Sequence, residues 1–344
     1  MAKLIRLSAD GTNWFSLPSN SADLSIDGEQ VDDSILGTTF SSSFTSLLNW
    51  NFSGDGIYKG VAGYQTCILK QGTSTATTGE DMSQVTGQIY QIDDATKNLF
   101  DAAVAYTVFD GVTDVTDEVV NVNYLFGTIT FDSSYTVVGD ITIDVNYFPV
   151  AVIGRFNSFT LTQSVDAVDD SDFQTLKANG GFRLNKQGLR TVSLEASGIF
   201  DATSDFRQQL VDRDAFVLEI QADSTGLSKA RGYFRIGTTS QSGAVGDNEE
   251  ESVTFNLNVP SSDYSPFEWS HATTSTLSDA ILVALNAFNS ETNVFIEYLP
   301  NGIGGAAGAT GQGVITDISL SSSVDDMPRF TIELTNDGAL TDVI

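Results

Sequence analysis

The sequence predicts a mainly β protein in which one unit of strands, a helix and three more strands is used twice, with a small β-domain inserted. Three observations predict it. The chain repeats itself in matched order, and apolar residues alternate with a period of two along many short segments. The composition is rich in β-branched residues, Thr and Ser, with only 6 prolines in 344 residues. One copy is continuous, from Phe159-Thr160-Leu161 to about Leu257. The other is split around it: it opens at Leu24-Ser25-Ile26, breaks off near residue 70 and resumes at Leu277.

The N-terminal segment, Met1-Ala2-Lys3-Leu4-Ile5-Arg6-Leu7, lacks the apolar core of a signal peptide and reads as a first strand. Each copy then carries an opening signature, Val31-Asp32-Asp33-Ser34 in one and Val168-Asp169-Asp170-Ser171 in the other. An alternating strand follows (Leu48, Trp50, Phe52; Val192, Leu194), closed by Gly56-Ile57-Tyr58 and Gly198-Ile199-Phe200. Residues 71–85 are Gly/Ser/Thr-rich without apolar periodicity and are expected to form a long exposed loop. The inserted block, 85–150, opens with Gln88-Ile89-Tyr90 and a short helical stretch over 95–100. A hairpin follows, with Val120, Val122 and Tyr124 going out, a turn at Phe126-Gly127, and Ile129-Thr130-Phe131 returning. Ile141, Ile143, Val145 and Tyr147 alternate in a further strand, ended by Pro149.

The second halves match as well. Ser204-Asp205 and Ser278-Asp279 each open a helix. The later one places Leu277, Ala280, Ile281, Ala284, Leu285 and Phe288 on one stripe, the pattern of a helix docked on a sheet. The earlier one is about a turn shorter, with Phe206 and Leu210 on its apolar face. Strands 216–220 and 294–298 follow, each with a glutamate (Glu219, Glu297). Next, Gly232-Tyr233-Phe234-Arg235-Ile236 matches Gly313-Val314-Ile315-Thr316-Asp317, and 253–257 matches 330–334. Residues 240–252 read as a polar loop, and 302–313 as a Gly/Ala-rich turn. The expected division is 1–84 and 261–344 as the two halves of one domain, 151–260 as the second, and 85–150 as the insert.

Hydrophobic content of 41% supports ordinary globular cores, and no run approaches the ~20 apolar residues of a membrane-spanning helix. The single cysteine, Cys67, excludes an intrachain disulfide and fits assembly in a reducing cytoplasm. A net charge of −29, from 45 acidic and 16 basic residues, opposes nucleic-acid binding. His271 is the only histidine, so neither a catalytic triad nor a histidine-based zinc site has its partners. Cys67 lies in an apolar strand, 64–69, and reads as a buried thiol. Gly302-Ile303-Gly304-Gly305 is followed by a strand, not by the helix a phosphate-binding loop needs. The acidic runs Asp169-Asp170-Ser171-Asp172 and Asp247-Asn248-Glu249-Glu250-Glu251 lack calcium-loop spacing and read as solvated faces. No catalytic, cofactor-binding or metal-binding residue is assigned, and no carboxylate pair stands out for glycoside hydrolysis.

Leu161-Thr162, Val168-Asp169-Asp170 and the run Gly188-Leu189-Arg190-Thr191-Val192-Ser193-Leu194-Glu195-Ala196-Ser197-Gly198 resemble the major tail tube proteins of long-tailed bacteriophages. So do Asp205-Phe206 through Leu210, strand 216–220 and Ser252-Val253-Thr254-Phe255. The split copy resembles them through 33–40 and 315–334. The segment Gln91-Ile92-Asp93-Asp94-Ala95, with 122–131, is similar to a region inserted in larger members. The resemblance implies two β-sandwich or barrel-like tube domains, each with a flanking helix. It further implies a non-enzymatic virion protein, assembled in the host cytoplasm, whose rings stack into a hollow tail tube that carries DNA during ejection. With two domains per chain, three chains would give a pseudo-six-fold ring; hexameric rings are the alternative stoichiometry. Implied partners are the chain itself, a tape measure protein, and tail terminator and tip proteins. DNA would pass an acidic lumen without specific binding, and no membrane is involved. Loops 71–85 and 240–252 are the expected ring-to-ring contacts. The alternatives are a surface adhesin or binding module, which predicts a monomer with a secretion signal, and an acidic glycan-active enzyme.

Overall fold

The computed structural model describes residues 4–32, 43–57, 66–69, 73–150, 156–179, 181–199, 206–213, 215–221, 228–242, 250–271, 277–303, 308–323 and 326–342. The strands of the first half are β1 (Leu4–Ser8), β2 (Phe15–Ser16), β3 (Ser19–Asp32), β4 (Ser43–Ile57), β5 (Thr66–Leu69), β6 (Thr75–Thr86), β7 (Ile89–Ile92), β8 (Thr107–Asp110), β9 (Thr113–Asp114), β10 (Val119–Asn123), β11 (Thr128–Phe131) and β12 (Ile141–Tyr147). There follow β13 (Ser158–Asp169), α1 (Phe173–Ala178), β14 (Asn185–Ile199), α2 (Phe206–Asp212), β15 (Ala215–Gln221), β16 (Ser228–Ser242), β17 (Glu250–Leu257) and β18 (Phe267–His271). The last elements are α3 (Asp279–Ser290), β19 (Val294–Leu299), β20 (Ala309–Ser323), β21 (Asp326–Asn336) and β22 (Thr341–Asp342). The protein is mainly β, and its described strand pairings are antiparallel. Contacts group the chain into two compact units: 1–63 with 158–194 and 275–344, and 64–157 with 195–274.

In the first unit β20 is the spine. One edge of it bonds β19 along Ala309–Gly313 and β13 along Asp317–Ser323. The other edge bonds β22 and β21, and β21 continues through β4 to β3. β1 covers the outer edge of β19. Alternation along these strands buries Trp50, Phe52, Ile315, Ile318, Leu320, Phe330, Ile332 and Leu334. Helix α3 packs on β1, β2, β19 and β20 through the apolar stripe read from sequence, with Ala280, Ile281, Ala284, Leu285 and Phe288 all buried. The Ser278 hydroxyl caps its start by accepting from the Ile281 amide. Its C-terminal carbonyls at Phe288 and Asn289 accept from the Arg190 guanidinium, a cation at the negative end of the helix.

In the second unit β16 is the spine. β15 bonds one edge along Lys229–Arg235. β18 and β17 bond the other. β5 covers the outer edge of β15, as β1 covers β19 in the first unit. A separate seven-stranded sheet, ordered β10-β11-β7-β6-β12-β8-β9, forms the inserted layer. Its core holds Tyr90, Ile92, Phe100, Val108, Ile129, Phe131, Ile141, Ile143 and Val145. The expected hairpin is β10–β11, and it turns at Gly127, which has φ +63°. A Cβ there would lie 2.9 Å from the Asn98 Cα, so glycine answers both the dihedral and the space.

Several expectations are corrected. Much of 71–85 is strand β6, paired with β7 and β12, and not a loop. Its burial pattern is mostly exposed, so no apolar periodicity marked it. The stretch 95–100 is a run of turns, not a helix: the Asp94 carboxylate binds the Thr96 amide and hydroxyl, a local competitor of helix formation. The Gly/Ala-rich 302–313 is not a turn throughout, and its residues 304–307 lie outside the described ones. Ala309–Gly313 is the beginning of β20, where Gly311 and Gly313 lie under the Trp50 ring. Ser240–Ser242 and Glu250–Ser252 are the paired ends of β16 and β17. The shorter helix, α2, has 7 described residues against 12 in α3, in line with the expected difference of about one turn. The signature residues Asp33, Ser34, Tyr58, Phe200, Ser204 and Asp205, the loop residues 71–72 and 243–249, and the first acids of the 247–251 run lie outside the described residues.

Candidate assembly interface

The two units carry the same α–β–β–β module, and strand registers align the copies residue by residue. β16 and β20 each hold a bulge against the following strand. Ile236 faces Phe255 and Thr238 faces Thr254 in one; Ile315 faces Leu334 and Asp317 faces Glu333 in the other. Ile236 therefore corresponds to Ile315, Thr238 to Asp317 and Phe255 to Leu334. The signature match had set Ile236 against Asp317, one pleat repeat away. A slip of that size keeps every side chain on its face, which is why alternation alone did not reveal it. Both helices end on a non-glycine residue in the left-handed region, Arg213 (φ 60°) and Glu291 (φ 56°).

Glu219 and Glu297, matched in sequence, are each 7% exposed and ion-paired. The cation comes from opposite sides. Arg6 of β1 faces Glu297 from the outer edge. Cys67 of β5 holds that register position against Glu219, and the arginine comes instead from β16 as Arg231, whose Nε donates at 2.7 Å. Burial pushes the Glu219 carboxyl up, but Arg231 and Lys229 outweigh it and hold the group below its ordinary value. Arg231 is 3% exposed and also donates to the Asn98 Oδ1 (2.7 Å) and the Leu125 carbonyl (2.8 Å) of the inserted layer, beneath the Phe126 ring. It is thus the polar centre of a contact whose apolar part is Leu99, Leu125, Phe126, Val217 and Tyr233. Sequence showed the glutamates but not their partners, because the arginines occupy different strands in the two copies.

The sheet edges differ sharply between the copies. In the first unit the late half of β20 is bonded by β13, and Phe159, Leu161 and Gln163 of β13 are at most 5% exposed. The corresponding half of β16, Thr238–Ser242, bonds β17 on one edge, and among the described residues no strand bonds the other. β3, the counterpart of β13, bonds β4 on one edge, and no described strand bonds its other edge along Asp23–Asp27. Ile26 on that strand is 57% exposed.

The other residues singled out from sequence are not brought together. His271 ends β18 opposite Ser228, and Cys67 lies opposite Glu219 in β5. The acids of the first run diverge. Asp169 takes hydrogen bonds from Ser171 and an ion pair from Arg183. Asp170 pairs with Lys186, and Asp172 caps α1 by accepting from the Gln174 and Thr175 amides. The Asp172–Thr175 spacing of a capping box was the available signal for α1. Among the described residues no group of three or more His, Cys, Asp or Glu is placed to hold a metal ion.

In β20, Asp317 faces Glu333. Burial and that second carboxylate push it up to about 6 from an ordinary 3.8. The folded protein therefore holds a proton that the unfolded chain releases. This contribution is fully present below about pH 4 and is lost as pH rises through about 6. Asp317→Asn should raise Tm more at about pH 7.5 than at about pH 4.5 when thermal denaturation is compared at both. Equal shifts at the two values would sink the assignment.

Neither a known sequence family nor a curated protein matches the chain. Solved structures do. One is a chain from the tail of an empty gene transfer agent particle obtained by helical refinement with C6 symmetry. It is 18% identical, with a TM-score of 0.29, over 36% of this chain and 87% of that one. Another is a chain from the virion of a native gene transfer agent particle, 17% identical, with a TM-score of 0.29, over 36% of this chain and 89% of that one.

Proposed function

We propose that this chain is a non-enzymatic virion protein of a long-tailed, phage-like particle, polymerising into stacked rings that form the tail tube. One observation carries the reading. The opening strand of the second copy, β13, is bonded to the sheet edge of β20, which belongs to the first copy. We read this pairing as a head-to-tail joint between the two sequence copies inside a single chain. Such joints close into rings where the rotation permits and remove exposed sheet edges. The residue-level resemblance to tail tube proteins supports the same reading.

In this reading the tube domains lie within 1–84 joined with 261–344, and in 151–260, with 85–150 as the inserted domain. Three chains make one ring. Stacking along the axis leaves an acidic lumen that DNA crosses without being held, since carboxylates repel phosphates. Tape measure, terminator and tip proteins meet the assembled tube, not the lone chain. Electron microscopy of the purified protein tests the proposal: hollow rods or rings are expected, and dispersed monomers at high concentration would overturn it.

A further inference from the structure

We infer that the seam between copies of the chain is an antiparallel pairing of β3 of one copy with the late half of β16 of the next, in a defined register. The inference rests on the tube reading and deepens it by naming the partner strands. The template is the internal joint. There, Thr160 faces Ser321, Leu161 faces Leu320, Thr162 faces Ser319, Gln163 faces Ile318 and Ser164 faces Asp317.

The bulge alignment carries β20 onto β16, so that Ser321 becomes Ser242 and Asp317 becomes Thr238. The opening signatures carry β13 onto β3, since Val168-Asp169 matches Val31-Asp32; Leu161 becomes Leu24 and Ser164 becomes Asp27. The seam then pairs Asp23 with Ser242, Leu24 with Gln241, Ser25 with Ser240, Ile26 with Thr239, and Asp27 with Thr238.

Three further observations fit this occupant. First, both strands present exposed residues where the seam would cover them. Leu161 and Gln163 of the internal joint are 0% exposed and Leu320 is 1% exposed, whereas Ile26 is 57% exposed. Thr238, Ser240, Gln241 and Ser242 are exposed as well. Second, the charges are compatible. β3 brings Asp23 and Asp27, and the facing stretch Thr238–Ser242 contains no charged residue, so no like charges are opposed. Third, β3 lacks the lysines and prolines by which exposed edges are usually blunted, although it runs for 14 residues. Its acids and the bulges near Ser19–Ser21 and Gly28–Gln30 discourage pairing with a like edge, and the uncharged stretch Thr238–Ser242 is a partner that Asp23 and Asp27 do not oppose.

The test uses the full chain with Cys67→Ser, so that the introduced thiols are the only ones. Ser25→Cys with Ser240→Cys places two cysteines directly opposite across the seam, within disulfide reach in an antiparallel pair. Ser25→Cys with Ser242→Cys displaces them by one pleat. Both variants are checked for native circular dichroism, oxidised under native conditions and run on non-reducing gels. The matched pair should give a covalent ladder ending at a closed trimer, with several-fold more product than the displaced pair. Rings or tubes in the microscope without matched-pair crosslinking would overturn the seam and leave the tube reading intact. An open-ended ladder without rings would support the seam and overturn the tube reading. Monomers alone by both measurements would overturn both.

Discussion

Replacing Arg231 with alanine should destabilise the protein by about 3–5 kcal/mol, the cost of breaking a buried ion pair from one side. The Glu219 carboxylate, 7% exposed, would keep only Lys229 at 3.8 Å and the Gln221 amide. The Asn98 side chain and the Leu125 carbonyl would lose their shared donor as well. Chemical denaturation followed by far-ultraviolet circular dichroism reads the loss. Arg231→Lys should recover part of it, because one ammonium cannot reproduce a guanidinium that serves three acceptors at once. The double change Arg231→Met, Glu219→Leu should be milder than either removal of a single charge, since an apolar pair needs no compensation. If Arg231→Ala cost no more than the double change, the arginine would not be holding the buried carboxylate.

That pair also shows how much of the fold the sequence carried. The order of elements was legible because alternation and helical periodicity are local properties. The stripe from Leu277 to Phe288 gave α3, and Ile141 to Tyr147 gave β12. What escaped depended on a partner distant in sequence. β6 is mostly exposed, so nothing in its own residues marked it as a strand; its pairing with β7 and β12 does. The register between the copies escaped for the same kind of reason, since a slip of one pleat repeat leaves the apolar pattern unchanged. The glutamates Glu219 and Glu297 were visible as a match, but the arginines were not, one lying on an outer strand and one on the spine. The candidate interface was hidden altogether. An open edge is a property of what is not bonded to it, and only the bonded counterpart, β13 on β20, gives it meaning.

Trp50→Ala should cost about 3–5 kcal/mol, the range for truncating a large buried aromatic side chain. Trp50 is 0% exposed, and its indole Nε1 donates to the Gly338 carbonyl at 3.0 Å. The ring also explains two glycines read from sequence as part of a turn. A Cβ on Gly311 would lie 2.9 Å from the Trp50 Cζ2 and 2.9 Å from the Leu340 Cδ2. A Cβ on Gly313 would lie 2.8 Å from the Thr335 backbone oxygen and 3.0 Å from the Trp50 Cη2. Gly311→Ala and Gly313→Ala should therefore both destabilise, by about 1–3 kcal/mol as overpacked sites. They should respond differently to a smaller ring. Trp50→Phe should absorb much of the Gly311→Ala penalty, because both obstacles there are side-chain atoms that can give way. It should do little for Gly313→Ala, whose nearest obstacle is a main-chain oxygen held in the β20–β21 ladder. Denaturation of the four single variants and the two doubles measures both couplings. Equal coupling at the two glycines would show that the ring, and not the strand behind it, sets the close approach at both positions.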